Sequence, residues 1–391
     1  MQQTFFIATL TSLRGFAALL VVLHHYVDDI APVLGERVSN IPAQLHLMVD
    51  LFFILSGFIM SHVYGDSFKE KISWKTLSNF ISARFARVYP LHFATLILTI
   101  FIGAVSTICN LNTLITGAVY DFSAIPSQLI LLNGMGTHIW ATWNSASWSL
   151  SVEWWTYFIF PILALLLNKN RIWSSAVLFL FVISGYYLTI YYFQPHFVAA
   201  LFQHFNMPSD TPMPKPNIGV FTGAGAFVRC VSGFIYGMLL YEVFRSEIAK
   251  KIFASSHLFL LCWVSLFALW HFDMIPDFAA VFVLGIIIIC AAHNNDYVER
   301  TLRNGFWQHM GVISFSIYLI HFPLIFIYLT ARAAFVNLGV FSNPDFGLSQ
   351  FEAWIGMPFF FALVIGMATL SYRFIEQPAR AYFRKILQTT R

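Results

Sequence analysis

Residues 4–26 read TFFIATLTSLRGFAALLVVLHHY. The run matches the ~20 mostly apolar residues that cross a bilayer, yet it contains Arg14 and His25. On a helix these two lie three turns apart, about 16 Å of rise, on one face. An ionisable side chain at membrane depth costs about 2.5–3.5 kcal/mol or more, so it is read first as part of a functional site. A guanidinium that stays charged and an imidazole that titrates, on one face at different depths, suit chemistry that works across the membrane. The segment has neither a basic leader region nor a small-residue cleavage site after the apolar run. It therefore reads as a retained first span.

The rest of the chain has the same character. Of 391 residues, 58% are hydrophobic and 10% charged, against about 25% charged in soluble domains. The shortfall runs the whole length, which predicts an all-α polytopic membrane protein with residues 1–391 forming one membrane domain. A net charge of +4 argues against a nucleic-acid surface. Cys109, Cys230, Cys262 and Cys290 lack metal-ligand spacing, so no metal is expected. They read as small apolar helix residues, with a Cys109–Cys230 bridge as the alternative.

About ten spans are predicted, near residues 5–27, 46–64, 88–108, 147–167, 172–192, 227–244, 257–272, 276–293, 308–332 and 352–372. Ile125–Met135 is too short to cross and reads as a helix on the outer face. With the N-terminus in the cytoplasm, most Lys and Arg fall on the inner side. Arg37, Lys215, Arg229 and Arg332 are then left outside and Arg14 within the membrane, which predicts both termini cytoplasmic. The stretch from Phe193 to Ala226 carries five prolines and is expected to lack regular helix. It reads as a connector or as a lid over an acceptor.

Several polar residues fall at depth. On soft span boundaries, His25, Asp50 in VDLFFILSGF and Glu153 in SASWSLSVEWW share the outer third of the membrane. An imidazole with two carboxylates in a dry cavity is what acid–base chemistry requires. The plainer reading is pairwise neutralisation, for instance Arg14 with Asp50. Asp28 follows His25 at i+3 and either orients the imidazole or is a solvated helix end. His24 points about 100° away and reads as an interface or packing residue. Arg84 and Arg87, in ISARFARVYP, share a helix face and suit phosphate groups, or serve as positive-inside anchors. His321, in SFSIYLIHFPL, is a second functional histidine or a packing residue. Gly233 and Gly237 form a small-xxx-small pair for helix packing.

These segments together resemble the membrane-bound acyltransferase-3 family, the integral-membrane O-acyltransferases of surface polysaccharides and related acceptors. The resemblance rests on SLRGFAALLVVLHHY, VDLFFILSGFIM, ISARFARVYPL, SWSLSVEWWTYFIFP, ISFSIYLIHFPL and YRFIEQPAR, in that order along the chain. Met48 stands where the family usually has Gly, and Trp154 where it often has a second acidic residue. The family's frequent extracytoplasmic esterase-like domain is not expected after Arg391. The resemblance implies transfer of an acyl group, most often acetyl, from cytoplasmic acyl-CoA to an extracytoplasmic hydroxyl, in a bacterial cytoplasmic membrane. On that reading Arg84 and Arg87 hold CoA phosphates, with Arg14 further along the path. His25 is general base or acyl carrier, and Glu153 or Asp50 orients it. Ser149 or Ser151 is a candidate oxyanion donor. Trp140, Trp143, Trp148 and Trp154 favour a carbohydrate acceptor by stacking. The competing class is a transporter of a glycan or small anion, with Arg14 and His25 in a proton-coupled path.

Overall fold

The computed structural model describes residues 7–34, 39–111, 119–169, 171–339 and 348–389, and these residues contain helix and no strand. The first residues of the opening apolar run and Arg37 lie outside that set. The long helices are α1 (Ala8–His25), α2 (Met48–Tyr64), α3 (Trp74–Ile108), α4 (Ser147–Lys169), α5 (Arg171–Leu188), α6 (Gly223–Phe244), α7 (Ser256–His271), α8 (Asp277–His293), α9 (Ser314–Asn337) and α10 (Gln350–Ser371).

Each of the ten expected apolar segments is helical, but fewer qualify as spans. Among the described residues eight helices are long and apolar enough to cross a membrane. A ninth is counted if α7 and the preceding Glu247–Phe253, bent by 64°, form one crossing. The deficit lies in α7 and α8, of 16 and 17 residues. At 1.5 Å per residue each falls short of a hydrocarbon core of about 30 Å. The protein is a multi-pass integral membrane protein.

Local chemistry sets the helix ends. The Ser73 hydroxyl accepts from Thr76 N at the start of α3, and Ser349 with Glu352 forms a reciprocal cap on α10. Single π turns extend three helices, at Tyr26–Ile30, Thr189–Phe193 and Tyr372–Glu376. The second carries α5 on into Gln194–His204, so the expectation of no regular helix after Phe193 is wrong for its first third. Pro195 follows just after the π turn at Thr189–Phe193.

Ile125–Met135 is helical only as far as Leu129. The chain then runs irregularly to α4, exposed at Ile130, Gly136 and Thr137 but buried from Thr142 to Ser147. Its buried part is tied to neighbouring segments by hydrogen bonds, as non-helical backbone at membrane depth requires. The Leu131 carbonyl accepts from Ser151 Oγ and Trp155 Nε1. Asn144 donates to the Leu319 carbonyl of α9. Trp143, fully buried with φ 53°, donates its indole N–H to the Asp121 carbonyl. It is a core residue and not a stacking platform.

α6 is the central helix, buried along most of its length, and it crosses α2 at backbone contact. A Cβ on Gly57 would lie 1.8 Å from the Phe234 carbonyl oxygen, and one on Gly237 1.9 Å from that of Ile54. Small residues permit this approach, which is how membrane helices gain packing energy. Gly237→Ala is expected to lower stability by about 3 kcal/mol or more, since the methyl meets backbone that cannot rotate away. Thermal unfolding of the detergent-solubilised variant measures it, and an unchanged midpoint would contradict the close crossing.

Candidate active site

The end of α1 opens onto a cavity of about 940 Å³. Its wall includes His24, His25, His46, His321, Arg229 and Asp277, together with Trp140 and Trp148. His25 Nδ1 lies 3.1 Å from Asp29 Oδ2. A carboxylate only accepts, so Nδ1 carries the ring proton and the Nε2 lone pair is available. The carboxylate within hydrogen-bond distance of the His25 ring is therefore Asp29 at i+4, not Asp28. Asp28 instead lies 3.5 Å from His24 Nε2, while His24 Nδ1 is 2.8 Å from the Pro42 carbonyl. His24 is thus a cavity residue rather than a lipid-facing one. His321 is fully buried, with its ring 5.2 Å from that of His25.

A second, narrower cavity of about 110 Å³ lies against the first. Arg14, Arg84 and Arg87 line it with Glu153, Tyr157 and Ser149. Arg84 donates to the Tyr64 hydroxyl at 3.0 Å. Arg87 Nη1 is 3.9 Å from Glu376 Oε1, and that buried carboxylate also holds Arg380 and accepts from Ser316. Arg14 has no carboxylate within ion-pairing distance among the described residues. The one carboxylate on this wall, Glu153, accepts from the Tyr157 hydroxyl at 2.7 Å. Three guanidinium groups against one carboxylate make a cationic chamber suited to phosphate.

Glu153 is therefore among the arginines and not beside His25. Trp148 faces the histidine cavity, and Glu153 is five residues further along α4, about 7.5 Å deeper. Asp50 lines neither cavity. It is fully buried and takes a forked hydrogen bond from Arg229, at 3.1 Å from Nε and 2.5 Å from Nη2. Arg229, expected at the outer surface, is an intramembrane residue of α6 with 2% exposure. Trp148 keeps its place at the cavity, with the Arg229 guanidinium 5.4 Å from its ring centre. Trp154 does not: it packs on Phe85, Tyr157 and Phe158 and lines neither cavity. Ser151 is committed to the Leu131 backbone. Cys109 and Cys230 are unpaired.

The two cavities share two wall residues, Val49 and Tyr318. Sequence reasoning missed Tyr318, Asp29, His46, Asp277 and Glu376. The i+4 spacing to His25 was a usable signal for Asp29, and Glu376 stands in the YRFIEQPAR segment. His46 and Asp277, 3.3 Å apart, come from distant parts of the chain and left no local signal.

A family model described as an acyltransferase domain matches residues 7–379. The chain belongs to the acyltransferase-3 family. Both cavities fall inside the matched region. Acyltransferase MdmB of Streptomyces mycarofaciens is 26% identical over 81% of this chain and 78% of its own length. Protein 2 in the picA locus of Rhizobium radiobacter is 34% identical over 31% of this chain and 62% of its own. Peptidoglycan O-acetyltransferase OatA of Listeria monocytogenes is 21% identical over 96% of this chain. The chain spans 56% of that relative's length. No solved structure matches.

Proposed function

We propose that this acyltransferase moves an acyl group, in the first instance acetyl, from acyl-CoA to a hydroxyl of an extracytoplasmic carbohydrate, probed most simply with cell-envelope polysaccharide. The observation that carries the reading is the junction of a cationic chamber with one that holds a His25–Asp29 pair. The likeness to a peptidoglycan O-acetyltransferase and the Trp140 and Trp148 walls support the acetyl donor and the sugar acceptor. The distribution of Lys and Arg favours cytoplasmic termini, and the bacterial origin of the relatives favours a bacterial cytoplasmic membrane.

In this mechanism Arg14, Arg84 and Arg87 bind the donor's phosphates at the inner chamber. Glu153 and Tyr157 limit the cationic surface and fix its shape. His25 Nε2 takes the acceptor hydroxyl's proton as the oxygen attacks the thioester carbon. Asp29 holds the ring and offsets the imidazolium charge. The C–S bond breaks, and the proton passes from His25 to the leaving thiolate.

The test is release of CoA thiol from acetyl-CoA by purified protein with crude envelope glycan, followed by mass spectrometry of the glycan. Thiol release with acetylated sugar is expected. Carriage of glycan or anion across vesicles with no CoA requirement would replace this reading with the transporter. Arg14→Gln is expected to raise the KM for acetyl-CoA about 10-fold or more, since one charge-assisted bond is worth about 1.5–3 kcal/mol. An unchanged KM would remove Arg14 from the donor site.

A further inference from the structure

Tyr318 stands where the two chambers meet. It lines both cavities, and Val49, the other shared residue, has no polar side-chain atom. Its hydroxyl lies 2.6 Å from Ser149 Oγ, and Ser149 lines the arginine chamber. Ser149 has a second acceptor, the Ala146 carbonyl, at a longer 3.3 Å. Ser149 can thus turn its proton to the phenolic oxygen and leave the Tyr318 O–H free to donate elsewhere. One helical turn along α9 is His321, its ring 5.8 Å from that of Tyr318 and 5.2 Å from that of His25. The Tyr318 side chain is 9% exposed, so water does not compete strongly for the donor.

We propose that Tyr318 is the oxyanion donor of the reaction, with Ser149 as its positioning partner. The inference rests on the reading of the chain as an acyl-CoA transferase. A donor held by its phosphates among the arginines must present its thioester at the wall between the chambers for a base in the other chamber to act on it. There the acceptor oxygen forms the new C–O bond and the carbonyl π pair moves onto oxygen. That oxygen takes a hydrogen bond from the Tyr318 O–H while Ser149 donates to the phenolic oxygen. The pair returns as the C–S bond breaks, and the thiolate leaves with the proton that His25 removed from the acceptor. No oxidant, metal or further reactant is needed. A fixed donor in a dry site is among the largest single contributions to acyl-transfer rates.

The experiment compares wild type with Tyr318→Phe, which keeps the ring in the partition. Turnover of acetyl-CoA is expected to fall about 100-fold or more, with KM changed by less than about three-fold. Infrared difference spectra with carbonyl-¹³C acetyl-CoA give a readout that a spacer role would not move. The bound carbonyl band should lie at lower frequency in wild type than in Tyr318→Phe. If Tyr318→Phe does not fold, Ser149→Ala replaces it, and the band should then shift part of the way toward the free value. An active wild type with turnover and band unchanged in the variants would overturn the oxyanion role alone. A wild type that releases no CoA thiol would overturn the transferase reading, and the inference with it.

Discussion

Replacing His25 with alanine is expected to lower acyl transfer by about 10²–10⁴-fold, the usual share of a general base, with little change in the KM for acetyl-CoA. The argument is geometric. His25 is the histidine whose Nδ1 faces a carboxylate, Asp29 Oδ2, at 3.1 Å, inside a cavity large enough for a sugar. Asp29→Asn should cost less than His25→Ala, on the order of 10-fold, because Asp29 is partly exposed and solvent shares its work. Asp28→Asn should stay within about three-fold, since Asp28 faces the other imidazole. CoA-thiol release measured at matched folding ranks the three. A His25→Ala enzyme with undiminished turnover would keep the family and discard this mechanism. An Asp28 effect exceeding that of Asp29 would mean the wrong carboxylate has been assigned.

The second large effect belongs to the Asp50–Arg229 pair. Removing either partner leaves a buried charge uncompensated, and Asp50→Leu or Arg229→Met alone should destabilise the protein by about 3–5 kcal/mol. The double substitution replaces both charges with apolar side chains and should recover most of that loss. Unfolding in detergent, followed for the two single variants and the double variant, measures the coupling. Activity of the double variant then separates two roles for Asp50. A stable and active protein leaves Asp50 a structural counter-ion to Arg229. A stable but inactive protein returns a chemical role to the pair, through Trp148, which stands beneath the Arg229 guanidinium at the cavity wall.

The two carboxylates show where reading along the chain reaches its limit. Asp50 and Glu153 were both placed by depth within a span, and depth is set by residue count and the 1.5 Å rise. Direction around the helix axis and the identity of the facing helix are set by packing. The Gly57 and Gly237 crossing brings α2 against α6 so that Asp50 meets Arg229. The buried irregular segment before α4 is anchored by Asn144 to α9 and by Ser151 to Leu131. It sets the level at which Glu153 enters the arginine chamber.

Sequence by itself determined that this is an all-helical membrane protein. It located ten apolar segments and put Arg14, His25, Arg84, Arg87 and His321 on a short roster of site residues, because hydrophobic periodicity and the cost of charge at depth are local properties of the chain. Tertiary structure alone decided that these residues divide between two chambers, that Asp29 serves His25, that Asp50 serves Arg229, and that Tyr318 stands at the junction. Those outcomes depend on which helix faces meet, and that is settled by side-chain volume and backbone approach between segments far apart in sequence.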